Sequence, residues 1–123
     1  MKKILVVDDE KEIRELIKEK LSKSDFNILT ASNGKEAVEI CKAEQPDLVL
    51  LDVAMPQMDG YQACQKLRDE KKTRNIPVLF LTGKDLAPES VLERCNTLSA
   101  SGFVSKLSTL EELLKKIEEV LKT

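Results

Sequence analysis

The segment DLVLLDVAMPQMDG, residues 47–60, indicates the fold class of this chain of 123 residues. It opens with a continuous apolar run, Leu48 to Leu51, that stands between Asp47 and Asp52. Such a short, uninterrupted apolar run is typical of a strand that is buried on both faces. The segment therefore predicts an α/β protein in which Asp52 stands at the end of a central strand.

The same alternation of short apolar runs and longer amphipathic runs continues on both sides of this strand. Residues 4–7, for example, are Ile-Leu-Val-Val and are followed by two acids. We predict one α/β domain over residues 1–123, a doubly wound, flavodoxin-like sheet of five parallel strands in the order 2-1-3-4-5 with five helices. The predicted strands are 3–7, 26–31, 47–52, 77–82 and 102–105, and the predicted helices are 11–23, 34–44, 60–71, 88–98 and 110–121.

The apolar stripes of the helices predict which side chains face the core. Their spacing places Leu16 of the first helix and Leu92 of the fourth helix on buried faces. The last helix has the clearest amphipathic pattern, and we predict that a capping box formed by Ser108 and Glu111 begins it.

The composition excludes several classes of function. The chain has no histidine, which removes the commonest general base and the histidine-dependent nucleophile pairs. A net charge of −2 and 3% aromatic residues argue against nucleic-acid binding, and no apolar run approaches the roughly 20 residues that span a bilayer. We therefore expect a cytoplasmic protein without nucleic-acid or membrane partners. The three cysteines form no CxxC pair and are predicted to be small buried hydrophobes: Cys41, Cys64 and Cys95.

Polar side chains stand at the ends of the predicted strands, where a doubly wound sheet brings them together. They are Asp8 and Asp9 after strand 1, Asp52 on strand 3, Thr82 on strand 4 and Lys106 after strand 5. Carboxylates about 4 Å apart repel each other by roughly 4 kcal/mol at an effective dielectric constant near 20. Either raised pKa values or a bound hard cation can sustain such a cluster. Oxygen ligands in an open site favour Mg²⁺, which in such sites usually handles phosphoryl groups.

A site that cradles phosphate in backbone amides is not indicated by the sequence. A flavin mononucleotide site or a P-loop needs a turn rich in small residues after strand 1, but the turn here is Asp8-Asp9-Glu10. This acidic turn repels bare phosphate and attracts metal. The sequence also lacks the glycine motifs of dinucleotide-binding and P-loop proteins.

Together these motifs resemble the receiver domain of two-component response regulators over essentially the whole chain. The motifs are residues 6–10, residues 47–52 with Met55-Pro56 and Met58-Asp59-Gly60, then Leu81-Thr82, and Phe103 three residues before Lys106. Each motif is weak alone, but their order and their positions at strand ends make the set highly specific.

The resemblance implies that Asp52 is the phosphoacceptor. It also implies a Mg²⁺ site formed by Asp8, Asp9, Asp52 and the backbone carbonyl of Ala54, and no other cofactor. Attack of a carboxylate on phosphorus is nucleophilic catalysis, and a loose transition state needs mainly alignment and charge neutralisation. The chain would catalyse only its own phosphoryl uptake and loss, so we do not expect a conventional enzyme.

The same resemblance implies a switch. Lys106 would neutralise phosphoryl oxygens, Thr82 would hydrogen-bond to the phosphoryl group and move toward it, and the rotamer of Phe103 would follow Thr82. Output would pass through protein contacts at helix 4, strand 5 and helix 5, about residues 88–122, to an unknown partner. Nothing in this sequence follows the last helix, so we expect a stand-alone receiver or a piece of a longer regulator.

Three residues depart from the pattern of the family. Leu107 follows Lys106 where the family usually has proline, commonly with a cis bond, and a cis bond before a non-proline residue costs roughly 2.5–4 kcal/mol. We therefore expect a trans bond and a re-routed Lys106 loop. Gly83 follows Thr82 where a small residue such as alanine is usual, and Ser99 stands where glycine is frequent.

Two alternative functions stay open at this point. A pseudo-receiver would keep the fold without phosphorylation and act as a constitutive binding module. The second alternative is a phosphatase of the haloacid dehalogenase type, a class with an Asp-x-Asp motif at the strand that carries the nucleophile. Here Asp52 is followed by Val53 and Ala54, so the second acid is missing. If the receiver interpretation holds, the missing histidine means that the phosphoryl donor is a partner histidine kinase or histidine phosphotransfer protein.

Overall fold

The computed structural model of the protein describes residues 1–122 and contains a central sheet of five parallel strands. The strand order is β2-β1-β3-β4-β5, which confirms the predicted doubly wound arrangement. The strands are β1 (Lys2–Val7), β2 (Phe26–Ala31), β3 (Leu48–Asp52), β4 (Val78–Thr82) and β5 (Gly102–Ser105). The helices are α1 (Lys11–Ser22), α2 (Gly34–Glu44), α3 (Gly60–Asp69), α4 (Pro88–Leu98) and α5 (Leu110–Leu121). No predicted boundary is wrong by more than two residues.

The sheet separates two apolar cores. Every residue of β3 and β4 is buried, because helices cover both faces. Helices α1 and α5 pack on one face, where Ile17 and Ile117 join the core, and α2, α3 and α4 pack on the other. Within the described chain, no helix is long and apolar enough to cross a membrane.

Two predicted core positions are wrong. Leu16 is 45% exposed and Leu92 is 54% exposed. In α1 the buried positions are Ile17 and Leu21, one turn apart, and Leu16 lies about 100° around the helix from Ile17. In α4 the buried positions are Val91, Cys95 and Leu98, so Leu92 falls on the solvent side of this stripe.

The start of α5 also differs from the prediction. The capping box is formed by Thr109 and Glu112: the amide of Glu112 donates to Thr109 Oγ1 at 3.2 Å, and the amide of Thr109 donates to Glu112 Oε1 at 2.9 Å. Ser108 belongs to the preceding turn, because its amide donates to the carbonyl of Ser105 at 3.0 Å. The helix start is therefore displaced by one residue from the predicted Ser108–Glu111 pair.

The three cysteines are buried and free, as predicted. Burial raises the pKa of Cys41 to about 12 and that of Cys64 to about 11, and it also raises the pKa of Cys95. The sequence offered no activating cation, but Arg68 lies close enough to lower the first two pKa values in part. Burial outweighs that effect, so these thiols are protonated and unreactive at neutral pH.

Arg68 connects the end of α3 to two other segments through side-chain hydrogen bonds. Its guanidinium donates to the carbonyls of Leu98 at 2.9 Å and Ser99 at 3.2 Å, at the end of α4. It also donates to Ile76 at 2.9 Å and Arg74 at 3.1 Å, in the loop before β4. Arg68 supplies donors to these four carbonyls, so it is a structural cap at the amino edge of the sheet.

Candidate functional site at the carboxyl edge of the sheet

The adjacent strands β1 and β3 bring two aspartates to the same edge of the sheet. Val7 pairs in register with Leu51, so Asp8 and Asp52 follow at neighbouring positions. Both are buried, with 0% and 1% exposure. Two charged groups are almost never buried in this way unless they are paired or serve a function.

Lys106 lies between these two carboxylates. Its Nζ is 2.9 Å from Asp8 Oδ2 and 3.0 Å from Asp52 Oδ2, and it is 3.9 Å from an oxygen of Glu10. The amide of Lys106 donates to the carbonyl of Thr82 at 3.0 Å, which ties the residue to the end of β4. The structure thus brings together Asp8, Asp52 and Lys106 as the sequence predicts.

The two carboxylates each have one satisfied and one incompletely satisfied oxygen. Asp8 Oδ1 accepts the amide of Glu10 at 2.9 Å, and Asp52 Oδ1 accepts the amide of Ala54 at 3.2 Å. The two Oδ2 atoms are buried, and among the described residues no backbone amide or hydroxyl donates to them. Their only close partner there is the Lys106 ammonium, which leaves room for a further positive group.

The electrostatics of the site are unusual for carboxylates. Burial raises the pKa of Asp52 from 3.8 to about 7, the contact with Lys106 partly opposes this, and the neighbouring Asp8 adds to it. Burial alone would lower the pKa of Lys106, but its contacts with Asp8 and Asp52 raise it above the ordinary value. Lys106 is therefore charged at neutral pH, whereas Asp52 titrates near neutrality.

An acidic cluster at the turn after β1 fits a hard cation. One carboxylate oxygen from each of Asp8, Asp9 and Glu10 can lie within 4.8 Å of the others. Asp9 and Glu10 are exposed, so a cation could keep part of its water shell, as Mg²⁺ prefers. The sequence prediction did not count Glu10 as a ligand, although its position as the third consecutive acid was a usable signal. The shares of Asp52 and of the Ala54 carbonyl in a metal site stay predictions.

Thr82 and Phe103 lie beside this edge, on β4 and β5. Thr82 is 7% exposed, and its hydroxyl donates to the carbonyl of Val104 at a long 3.4 Å. Phe103 is half-buried and lines, with Thr82 and Leu86, a surface groove between β5, α5 and the segment before α4. The weak hydrogen bond leaves the Thr82 hydroxyl able to exchange partners, but its movement stays a prediction.

Gly60 is required by the close approach of α3 to the end of β3. A Cβ atom there would collide with the carbonyl oxygen of Asp52 and lie 2.9 Å from the Cα of Val53. The amide of Gly60 donates to the carbonyl of Val53 at 2.9 Å. Gly60 therefore allows the start of α3 to pack directly against the backbone of Asp52 and Val53.

Comparison with known families identifies this arrangement. Residues 4–118 match the family described as the response regulator receiver domain. The chain is a response regulator receiver domain. Receiver domains of this kind act in two-component phosphorelay signalling, and they generally bind Mg²⁺ at an acidic site.

Curated relatives of this receiver domain are longer proteins. It is 38% identical over 121 residues to the alkaline phosphatase synthesis transcriptional regulatory protein PhoP of Bacillus subtilis, covering 98% of this chain and 49% of that protein. It is 42% identical over 123 residues to the probable transcriptional regulator ycf27 of Cyanophora paradoxa, covering 98% and 48%. The receiver domain thus spans about half the length of the curated relatives it matches.

Solved structures agree with the receiver fold. The chemotaxis protein CheY4 of Vibrio cholerae superposes with a TM-score of 0.90 at 30% identity, covering 98% of this chain and 99% of that one. The N-terminal domain of a response regulator receiver protein from Methanoculleus marisnigri gives a TM-score of 0.78 at 37% identity, covering 98% and 97%.

The residues that depart from the receiver pattern are accommodated locally. The bond between Lys106 and Leu107 is trans, as expected, and Lys106 reaches both aspartates. The re-routing of its loop stays a prediction. The amide of Leu107, which a proline would lack, donates to Ser105 Oγ at 3.1 Å. Ser99 has a left-handed backbone with φ 54°, which explains why this receiver position favours glycine.

Proposed function

We propose that this receiver domain accepts a phosphoryl group on Asp52 from a phosphohistidine of a partner kinase or phosphotransfer protein. The observation that carries the proposal is the buried Asp52 carboxylate, whose Oδ2 atom contacts Lys106 Nζ at 3.0 Å. The chain contains no histidine, so the donor belongs to another molecule or to another segment.

In the proposed step an oxygen of ionised Asp52 attacks phosphorus. The O–P bond forms as the N–P bond of the donor breaks, and the electron pair of that bond returns to the imidazole nitrogen, which takes up a proton from water. Lys106 compensates the negative charge of the phosphoryl oxygens, since its ammonium already lies beside Asp52. Loss of the group is attack by water on the same phosphorus, so the chain acts only on itself.

A divalent cation fits the proposal through this chain's own residues. Asp8, Asp9 and Asp52, with the backbone carbonyl of Ala54, would hold Mg²⁺, and Glu10 stands ready as a further oxygen donor. When bound, the cation supplies charge neutralisation for the phosphoryl oxygens. The buried Oδ2 atoms of Asp8 and Asp52 support this assignment because they lack amide and hydroxyl donors in the described chain.

Switching is proposed to pass from the site to the face formed by α4, β5 and α5. The Thr82 hydroxyl would leave the Val104 carbonyl for a phosphoryl oxygen, and Phe103 would follow into the space beside it. A phosphoryl group brings a charge of about −1.5 to −2 and three acceptor oxygens, which is sufficient to recruit such a hydroxyl. The output partner and a cytoplasmic location stay predictions.

The test is phosphorylation by a small acyl phosphate. We expect wild-type protein with acetyl phosphate and Mg²⁺ to gain the mass of one phosphoryl group in intact-mass spectrometry, and Asp52→Asn to gain none. Asp47→Asn is the matched control, since Asp47 directly precedes β3 at the opposite edge of the sheet, and it should be labelled like wild type. No gain in wild type would favour the pseudo-receiver instead, and equal gain in Asp52→Asn would contradict Asp52 as the phosphoacceptor. Repeated turnover of a phosphate ester would favour a phosphatase.

A further inference from the structure

The turn after β1 concentrates negative charge. Asp8, Asp9 and Glu10 are consecutive, and oxygens from all three carboxylates come within 4.8 Å of one another. Groups of the same charge at such distances repel each other and favour an opened turn. Lys106 offsets part of this repulsion through its contacts with Asp8 and Glu10, but it does not fix the main chain of the turn.

Three hydrogen bonds close this turn into a ring. The amide of Glu10 donates to Asp8 Oδ1 at 2.9 Å. The amide of Arg14 donates to the carbonyl of Glu10 at 3.1 Å. The guanidinium of Arg14 then returns to the start of the turn and donates to the carbonyl of Asp8 at 2.8 Å. Arg14 thus contacts both ends of the acidic turn, once through its main chain and once through its side chain.

The position of Arg14 is not explained by the stability of α1. It is the fourth residue of a helix that begins at Lys11, and positive side chains near a helix N-terminus are opposed by the helix dipole. The side chain is half-buried and is directed to a backbone carbonyl. A charge-assisted hydrogen bond of 2.8 Å is among the stronger contacts available to such a group.

We infer that Arg14 is a positioning residue for the cation site: it fixes the main chain of Asp8 and thereby holds the carboxylates of the acidic turn ready for a divalent cation. The inference rests on the cation site in the proposed function. Arg14 touches neither the cation nor the phosphoryl group in this assignment. It acts through the carbonyl of Asp8, as outer groups commonly orient the ligands of a metal.

Charge and position predict opposite effects of removing Arg14. If only its charge mattered, a neutral residue would strengthen Mg²⁺ binding, since one positive charge beside the site would be gone. If Arg14 positions the turn, the neutral residue weakens binding. Arg14→Lys keeps the charge but replaces the fixed guanidinium fork with a flexible ammonium, so it should weaken binding less.

The experiment is calorimetric titration of Mg²⁺ into wild type, Arg14→Gln and Arg14→Lys. We expect the Mg²⁺ dissociation constant to rise roughly 10-fold in Arg14→Gln, the lower end of the range for groups that orient metal ligands. In Arg14→Lys we expect a smaller rise, of roughly 3-fold, because the charge is kept. Arg68→Ala is the matched control, because it also removes an arginine that donates to backbone carbonyls, but at the opposite edge of the sheet. It should lower stability in EDTA and leave the dissociation constant unchanged.

The outcomes separate this inference from the proposed function. Unchanged or tighter Mg²⁺ binding in Arg14→Gln overturns the positioning role, even if the variant is less stable in EDTA. Equal weakening in Arg68→Ala would also overturn it, since a general loss of rigidity would then be the cause. Absence of Mg²⁺ binding by wild type would instead contradict the cation site on which both statements depend.

Discussion

Asp52 is a carboxylate that the fold keeps partly protonated near neutral pH. Its pKa of about 7 results from burial, and Lys106 compensates for burial only in part. A nucleophile of this kind must be ionised to attack phosphorus. In the proposed reaction, proton loss, approach of a cation and approach of a phosphoryl group would therefore be linked at Asp52.

This linkage predicts a pH-dependent stability in the absence of divalent cations. The pKa of Asp52 is higher in the folded state than its ordinary value of 3.8, so its contribution to the free energy of unfolding is complete below about pH 4. The contribution is lost as the pH rises through about 7. Urea unfolding in EDTA at several pH values should show Asp52→Asn gaining stability relative to wild type across this interval. No histidine titrates in the same range to obscure the comparison. Parallel curves for the two proteins would refute the assignment.

The individual residues of the site differ in how far the sequence could predict them. Asp8, Asp52 and Lys106 follow from strand ends, because parallel strands deliver their carboxyl ends to one edge. The roles of Arg14 and Arg68 could not be predicted from strand ends, since they depend on which distant carbonyl a long side chain contacts. The spacing of residues along the chain does not contain that information.

At the scale of the elements, apolar runs predicted the strands well because β3 and β4 are buried on both faces. The ends of the helices could be predicted less well than the strands. Ser108–Glu111 and Thr109–Glu112 both fit the spacing of a capping box, and the turn after β5 decides between them. The exposed Leu92 likewise reflects how α4 is rotated against α3 and β5, which its own pattern does not specify.

The end of α4 offers a stability test. Ser99 ends this helix with φ 54° and ψ 38°, a conformation that is costly for a residue with a Cβ atom. Ser99→Gly should raise the free energy of unfolding by about 0.5–1 kcal/mol, measured by urea denaturation. The backbone carbonyl that accepts Arg68 is retained in this variant. Ser101→Gly is the control, and it should gain nothing, because a left-handed backbone is described for Ser99 but not for Ser101. Equal effects of both substitutions would contradict this explanation.

At the scale of the whole molecule, the sheet separates two apolar cores and carries the candidate site at its carboxyl edge. A cation that binds only the folded state stabilises the entire domain, because the acidic turn and β3 do not exist as a site in the unfolded chain. Metal binding is therefore measurable as global stability.

We expect Mg²⁺ to raise the melting temperature. At a concentration 100 times its dissociation constant, a ligand stabilises by about 2.7 kcal/mol, which corresponds to roughly 10 °C for a domain near this size. Asp9→Ala should lose most of this gain, as followed by circular dichroism. Asp25→Ala removes an exposed acid before β2, at the opposite edge of the sheet, and should keep the full gain. Identical melting of wild type in EDTA and in saturating Mg²⁺ would refute the cation site.

The contacts of Lys106 determine the charge balance of the site in the unphosphorylated form. Its ammonium serves both Asp8 and Asp52, so the domain carries an internal counter-ion for the charges it buries. In the proposed reaction, an incoming phosphoryl group would compete with Asp8 for that counter-ion and would not enter an empty site. Lys106 thus holds part of the place that a cation and a phosphoryl group would take, and the proposed phosphorylation of Asp52 would exchange one ion pair for another.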